Sequence, residues 1–197
     1  MSALPKRLFT PEEYLDLEVK AEYRSQYVAG EIFAMAGAQP IHNEVLFGLL
    51  LALGTRFRGR PCKTYFQDVR LQVNTGDLYT YPDAMALCGE PKFETSHKPH
   101  ALLNPQVIFE VLSPSTEAFD RGEKFMRYQR LESLTDYVLV SAERISVEHF
   151  VRQAEGAWTY RAYTQAADRL PLASVGCELP LAEIYDQIIF PEMGTGG

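Results

Sequence analysis

Val107-Ile108-Phe109-Glu110-Val111-Leu112-Ser113-Pro114-Ser115-Thr116 is the stretch around which the rest of the chain organises. Its first six residues are apolar except Glu110, and a near-continuous apolar run of that length fits a central strand covered on both faces. Ser113 precedes a proline, which disfavours helix and makes 113–116 a loop. The spacing beyond it predicts a helix from about Phe119 to Leu131. Working outward, Tyr137–Val140, Ser146–Val151 and Trp158–Tyr163 read as strands, the last two joined as a hairpin at Glu155-Gly156. Residues 181–185 read as one helical turn. Upstream, Thr64–Phe66, Val69–Val73 and Tyr79–Leu87 read as strands, with a polar turn at Asn74-Thr75-Gly76-Asp77 and a charged loop over Glu90–Pro105.

The N-terminal part adds a capped helix, a hairpin and one long helix. Thr10-Pro11-Glu12-Glu13 supplies an N-cap, a first-position proline and a capping-box glutamate for a helix ending near Val19. Residues 26–33 read as two strands with a tight turn at Ala29-Gly30. Val45, Leu49, Leu50, Leu53 and Phe57 recur at helical spacing over 41–57. No repeat or linker interrupts this order. The expected fold is α/β (α+β-like): a mixed central sheet flanked by helices, with an extra C-terminal hairpin, in a single domain over 1–191 and a flexible tail over 192–197.

Of 197 residues, 46% are hydrophobic and 12% aromatic, enough for a well-filled core. A formal net charge of −7 disfavours indiscriminate nucleic-acid binding, although a local basic groove is compatible with an acidic exterior. Cys62, Cys88 and Cys177 are scattered and form no CxxC pair, so they are expected to be reduced, mostly buried thiols. The N-terminus carries no signal-peptide pattern, and the longest apolar stretch, broken by Gly48, is too short for a bilayer. The expected location is cytoplasmic.

A carboxylate inside a buried strand is costly unless paired or bound to a cation, which singles out Glu110. Asp83 follows Pro82 at the head of Ala84-Met85-Ala86-Leu87. If these two strands pair near those points, both carboxylates face one pocket and suit a hard cation, Mg²⁺ or Mn²⁺. The alternative leaves Asp83 capping a turn and Glu110 paired with a core Arg or Lys. On the helix that follows, Asp120, Lys124 and Tyr128 share one face, so Lys124 can fold back toward Glu110. Gly122, a poor helix former, suggests close backbone packing there. His42 opens the long helix, as a cap or as a neutral donor beside a phosphate, since the helix dipole disfavours its protonated form. Arg121, Lys124, Arg127 and Arg130 on one helix, and Arg56, Arg58, Arg60 and Lys63 after another, are the candidate phosphate contacts.

Tyr81-Pro82-Asp83, Phe109-Glu110-Val111-Leu112-Ser113-Pro114-Ser115-Thr116 and Asp120-Arg121-Gly122-Glu123-Lys124 with Tyr128 resemble the Uma-two family, a bacterial group within the PD-(D/E)XK nuclease superfamily. Gly30-Glu31-Ile32, His42-Asn43 and Asp136-Tyr137-Val138-Leu139-Val140 extend the resemblance. It implies a restriction-endonuclease-like core, with Asp83, Glu110 and the carbonyl of Val111 as metal ligands and Lys124 as the catalytic lysine. The usual D/E-x-K triplet would place that lysine at 112, where this chain has Leu112. The family commonly has an acid and an Asp-Gly turn in the first hairpin, where this chain has Gln26 and Ala29; Glu31 is a further acidic contributor there.

These readings predict a Mg²⁺-dependent endonuclease acting on DNA, with a homodimer compatible with such a domain. Two rivals remain open: a nuclease-like fold serving binding or assembly without turnover, and a metal-dependent hydrolase of a small phosphorylated substrate.

Overall fold

A computed structural model describes residues 7–190 except 36, 38 and 75; the tail read over 192–197 lies outside the described residues. Its strands are β1 (Ser25–Val28), β2 (Glu31–Ala34), β3 (Cys62–Phe66), β4 (Arg70–Val73), β5 (Leu78–Thr80), β6 (Ala84–Cys88), β7 (Phe93–Glu94) and β8 (Ala101–Leu102). They continue as β9 (Val107–Leu112), β10 (Asp136–Ser141), β11 (Val147–Arg152), β12 (Trp158–Tyr163), β13 (Arg169–Leu172) and β14 (Cys177–Pro180). The helices are α1 (Pro11–Glu18), α2 (Pro40–Phe57), α3 (Glu117–Phe119), α4 (Phe125–Tyr128) and α5 (Leu181–Ile184).

The main sheet runs β12-β11-β10-β9-β6-β3 and is mixed: β9 and β10 are parallel and every other pair is antiparallel. A parallel pair needs a long crossover, which the helical segment after β9 provides. β9 is buried along its whole length, as its apolar run predicts. Val107, Phe109 and Val111 enter the core under α2 and α5, with Val45, Leu49, Leu53 and Ile184. Ile108 and Leu112 alternate to the other face, where Phe125, Tyr128 and Tyr137 pack.

A second six-stranded sheet, β2-β1-β5-β4-β8-β7, accounts for what the sequence left as one strand and one loop. The run read as a single strand over Tyr79–Leu87 divides at Tyr81-Pro82, because proline cannot donate to a ladder. β5 belongs to the second sheet and β6 to the first, and Asp83 sits at the handover. Within the segment read as a loop, β7 and β8 pair with each other, and β8 also pairs with β4. The β13–β14 hairpin was not legible in the sequence.

Cys62 and Cys88 are not free thiols: they form a disulfide. They are 26 residues apart but directly opposite in the β3–β6 register, which spacing along the chain could not reveal. Cys177 is free.

The α1 capping box forms as read: Glu13 N–H donates to Thr10 Oγ1 at 3.2 Å and Thr10 N–H to Glu13 Oε2 at 2.9 Å. In the first hairpin Val28 opposes Glu31, leaving a two-residue turn with positive φ at both Ala29 (47°) and Gly30 (97°). A β-carbon is disfavoured there, and Asn tolerates the left-handed region better than Ala. Ala29→Asn should therefore raise stability by about 1 kcal/mol, read as a higher melting temperature. Gly48 has a different duty. A β-carbon on it would lie 2.2 Å from the carbonyl oxygen of Ile184, so α5 rests directly on the α2 backbone. Gly48→Ala should cost about 1–3 kcal/mol through overpacking, measured by chemical unfolding.

Candidate metal and nuclease site

Glu110 and Asp83 meet through strand register. β6 and β9 pair Ala84 with Phe109, and one step further sets Asp83 opposite Glu110. Asp83 Oδ2 accepts the Val111 backbone N–H at 2.7 Å, which locks the carboxylate against β9. Val111 thus touches the site through its N–H; the implied ligand role of its carbonyl is a separate matter.

Glu110 falls on the face covered by the segment after β9. The helix expected from Phe119 to Leu131 runs without a break from Glu117 to Tyr128, but with a π-helical turn, Asp120–Lys124, between α3 and α4. Such turns insert a residue and often mark functional sites. Asp120, Lys124 and Tyr128 still share the inward face. Lys124 Nζ lies 2.8 Å from Glu110 Oε1 and 3.0 Å from Asp120 Oδ1, with all three side chains at most 7% exposed. The Tyr128 hydroxyl donates to Glu110 Oε1 at 2.9 Å. The Tyr137 hydroxyl donates to the carbonyl of Asp120 at 2.9 Å. The sequence places Asp120 on the face of Lys124 through their spacing of four residues but gives it no role there, and it offers no signal for Tyr137 as part of the site. Gly122 does not mark close packing: a β-carbon there would meet open space.

The electrostatics are those of a site short of positive charge. Burial is the largest influence on Glu110 and pushes its carboxyl up to about 8; Lys124 pulls it down, while Asp120 and Asp83 push it further up. Burial alone would lower the Lys124 ammonium, but Glu110 and Asp120 together hold it well above its ordinary value. Lys124 therefore keeps its proton, and one cation faces two buried carboxylates with a third nearby.

His42 stands at the start of α2, with its Nε2 3.3 Å from Asp83 Oδ2. It is not the helix cap, since the N-cap is Gln39. Nor is its protonated form disfavoured overall: burial is the largest single influence and lowers its pKa, but the hydrogen bond and charge of Asp83, with Asn43 and Glu110, together outweigh it and the pKa is raised. The carboxylate 3.3 Å away acts more strongly than the partial charge of a helix end.

The hairpin residues lie in the second sheet. Gln26 Oε1 accepts a hydrogen bond from Thr80 Oγ1 at 3.3 Å, three residues before Asp83. Glu31 sits opposite Val28 across the turn. The arginines are largely engaged. Arg121 pairs with Glu117 and Glu148, both at 2.8 Å, and Arg127 pairs with Glu123 at 2.8 Å. Arg130 pairs with Asp77, Arg56 with Glu183, and Arg60 donates to the carbonyl of Val175.

Among the described residues no three His, Cys, Asp or Glu side chains cluster as a complete metal cage. A hard divalent cation does not require one, because Mg²⁺ is commonly held by one or two carboxylates with water completing the shell. Asp83, just before β6, and Glu110, on β9, bring two carboxyl groups to neighbouring positions of paired strands. The residues present fit such a cation. No helix among the described residues is long and apolar enough to cross a membrane.

Comparison with known proteins bears on the family and the fold. The family model Uma2, described as "Putative restriction endonuclease", matches residues 11–182. Two uncharacterised proteins of Synechocystis sp. are similar along most of their length. One is 34% identical over 181 residues, covering 92% of this chain and 93% of its own. The other is 35% identical over 152 residues, covering 77% and 85%. A crystal structure from Anabaena variabilis, described as a "putative nuclease belonging to DUF820", superimposes with a TM-score of 0.73 at 16% identity. That likeness covers 92% of this chain and 99% of the other, and it shows a shared fold.

Proposed function

The chain belongs to the Uma2 family, and from that premise we propose that it is a Mg²⁺- or Mn²⁺-dependent endonuclease that hydrolyses DNA phosphodiester bonds. The observation that carries the reading is the 2.8 Å contact of Lys124 with Glu110, one register step from Asp83. It reconstitutes two carboxylates and an ammonium although position 112 is leucine.

When bound, the divalent ion polarises the phosphate and lowers the pKa of a coordinated water. The protein's own groups do the positioning. Asp83 is held by the Val111 N–H and by His42, so its charge stays at the mouth of the two strands. Tyr128 and Lys124 fix Glu110 from the opposite side. The Lys124 ammonium, already desolvated, stabilises negative charge that grows on the phosphate as the scissile bond breaks. Asp120 keeps that ammonium in place.

The test is direct. Full-length protein is incubated with supercoiled and single-stranded DNA in Mg²⁺, in Mn²⁺ and in chelator, and divalent-ion binding is followed by calorimetry. The expected result is metal-dependent nicking together with a binding isotherm. Absence of divalent-ion binding at millimolar concentration would sink the reading. A second reading draws support from Arg121 and Arg127, which spend their charge on glutamates and not on an open basic groove. It is a nuclease fold that binds metal or nucleic acid without turnover, or that hydrolyses a small phosphorylated substrate. Metal binding without DNA cleavage over long incubation would favour it.

A further inference from the structure

Helix α2 buries Val45, Leu46, Leu49, Ala52, Leu53 and Phe57 and leaves an apolar strip on its opposite side. Phe47 is 67% exposed and Leu51 is 59% exposed. Next to them Gly54 has only open space where a β-carbon would stand. Glu44 and Arg58 bracket the strip; both are exposed, and neither takes part in an ion pair among the described residues. Residues 44, 51 and 58 repeat at intervals of seven, as do 47 and 54, which is the spacing of a helix–helix seam. Large exposed apolar side chains at that spacing, flanked by charge, are the mark of an interaction surface.

We propose that this face of α2 is where two copies of the chain associate, α2 against α2, antiparallel about a twofold axis at Leu51. Under that symmetry a residue a given number of steps before Leu51 meets the residue the same number of steps after it on the second copy. Glu44 is seven before and Arg58 seven after, so opposite charges meet at both ends of the seam. Phe47, four before, meets Thr55 and covers the open surface at Gly54, where the absence of a side chain leaves room for the ring. Leu51 meets its own equivalent at the centre. A parallel pairing would instead set Glu44 against Glu44 and Arg58 against Arg58. An isologous contact must be self-complementary, and this strip is so in shape, apolarity and charge. Its ends, Glu44 and Arg58, lie about 21 Å apart along the helix axis, long enough for a cooperative seam. The inference concerns association and stands apart from the nuclease reading.

Sedimentation and light scattering of the full chain, over about 1 to 100 µM, test it. The expected species is a dimer. Leu51→Asp, which changes an exposed side chain, should weaken it at least about 100-fold while circular dichroism shows unchanged helix content. Glu44→Arg and Arg58→Glu should each weaken association by roughly tenfold through like-charge contact. Combined in one chain, the two should restore the affinity of the parent, a rescue that only an antiparallel register about Leu51 gives. A monomer at all concentrations would overturn the proposal. So would a dimer that persists in Leu51→Asp, or a double charge reversal as weak as either single one.

Discussion

Asp83→Asn should abolish metal-dependent cleavage, lowering the rate by about 10³-fold or more, because several kcal/mol of metal-mediated stabilisation would be withdrawn from the transition state. The expected change in stability is small. An asparagine carbonyl oxygen can still accept the Val111 N–H, and the side-chain volume is unchanged. What disappears is the negative charge that faces Glu110 and His42 across the strand ends. Calorimetry should show divalent-ion affinity falling with activity, while the melting curve stays near that of the parent. Cleavage at the parental rate in Asp83→Asn would remove Asp83 from the mechanism and with it the site as drawn.

Lys124→Met should cost about 3–5 kcal/mol of folding stability at neutral pH, since removing one partner of a buried ion pair strands the charge of the other. Here it strands the Asp120 carboxylate, 3.0 Å from the ammonium, while Glu110, 2.8 Å away, keeps its proton at neutral pH. Adding Asp120→Asn should recover part of the loss, because the double variant buries one charge fewer; urea unfolding of the three proteins gives the comparison. The pH dependence has a defined sign. Glu110 has a folded-state pKa of about 8, above its unfolded value, so its contribution favours folding at low pH and fades as pH rises through 8. Removing Lys124 raises that folded pKa further. The deficit of Lys124→Met against the parent should therefore widen as pH rises above about 8 and change little below it. A variant within about 1 kcal/mol of the parent at neutral pH would mean that Lys124 is not the counter-charge of this buried acidic cluster.

Much of the main sheet was legible because its signals are local. An apolar run with one acid specified β9, a Ser-Pro step ended it, and Trp158–Tyr163 with the turn at Glu155-Gly156 gave the outer hairpin. The division at Tyr81-Pro82 is not legible locally, although the sequence contains the proline that causes it; its meaning depends on there being a second sheet to receive β5. The same holds for β7, β8, β13 and β14. They are short strands whose pairing partners, and not their own composition, define them.

The sequence by itself determined which residue types are available to the site: Asp83 at a strand head, Glu110 within a buried strand, and Asp120, Lys124 and Tyr128 on one helical face. Burial inside a run of apolar neighbours is a local property, and so is the spacing along a helix. Only the tertiary structure decided what those residues meet. Register between β6 and β9 sets Asp83 beside Glu110, a π-helical turn brings Lys124 within 2.8 Å, and two cysteines 26 residues apart become partners. It also assigned Arg121 and Arg127 to glutamates and raised the His42 pKa through Asp83. Each of these depends on distances between segments remote in sequence, and electrostatic energy varies with distance and burial, neither of which a linear spacing fixes.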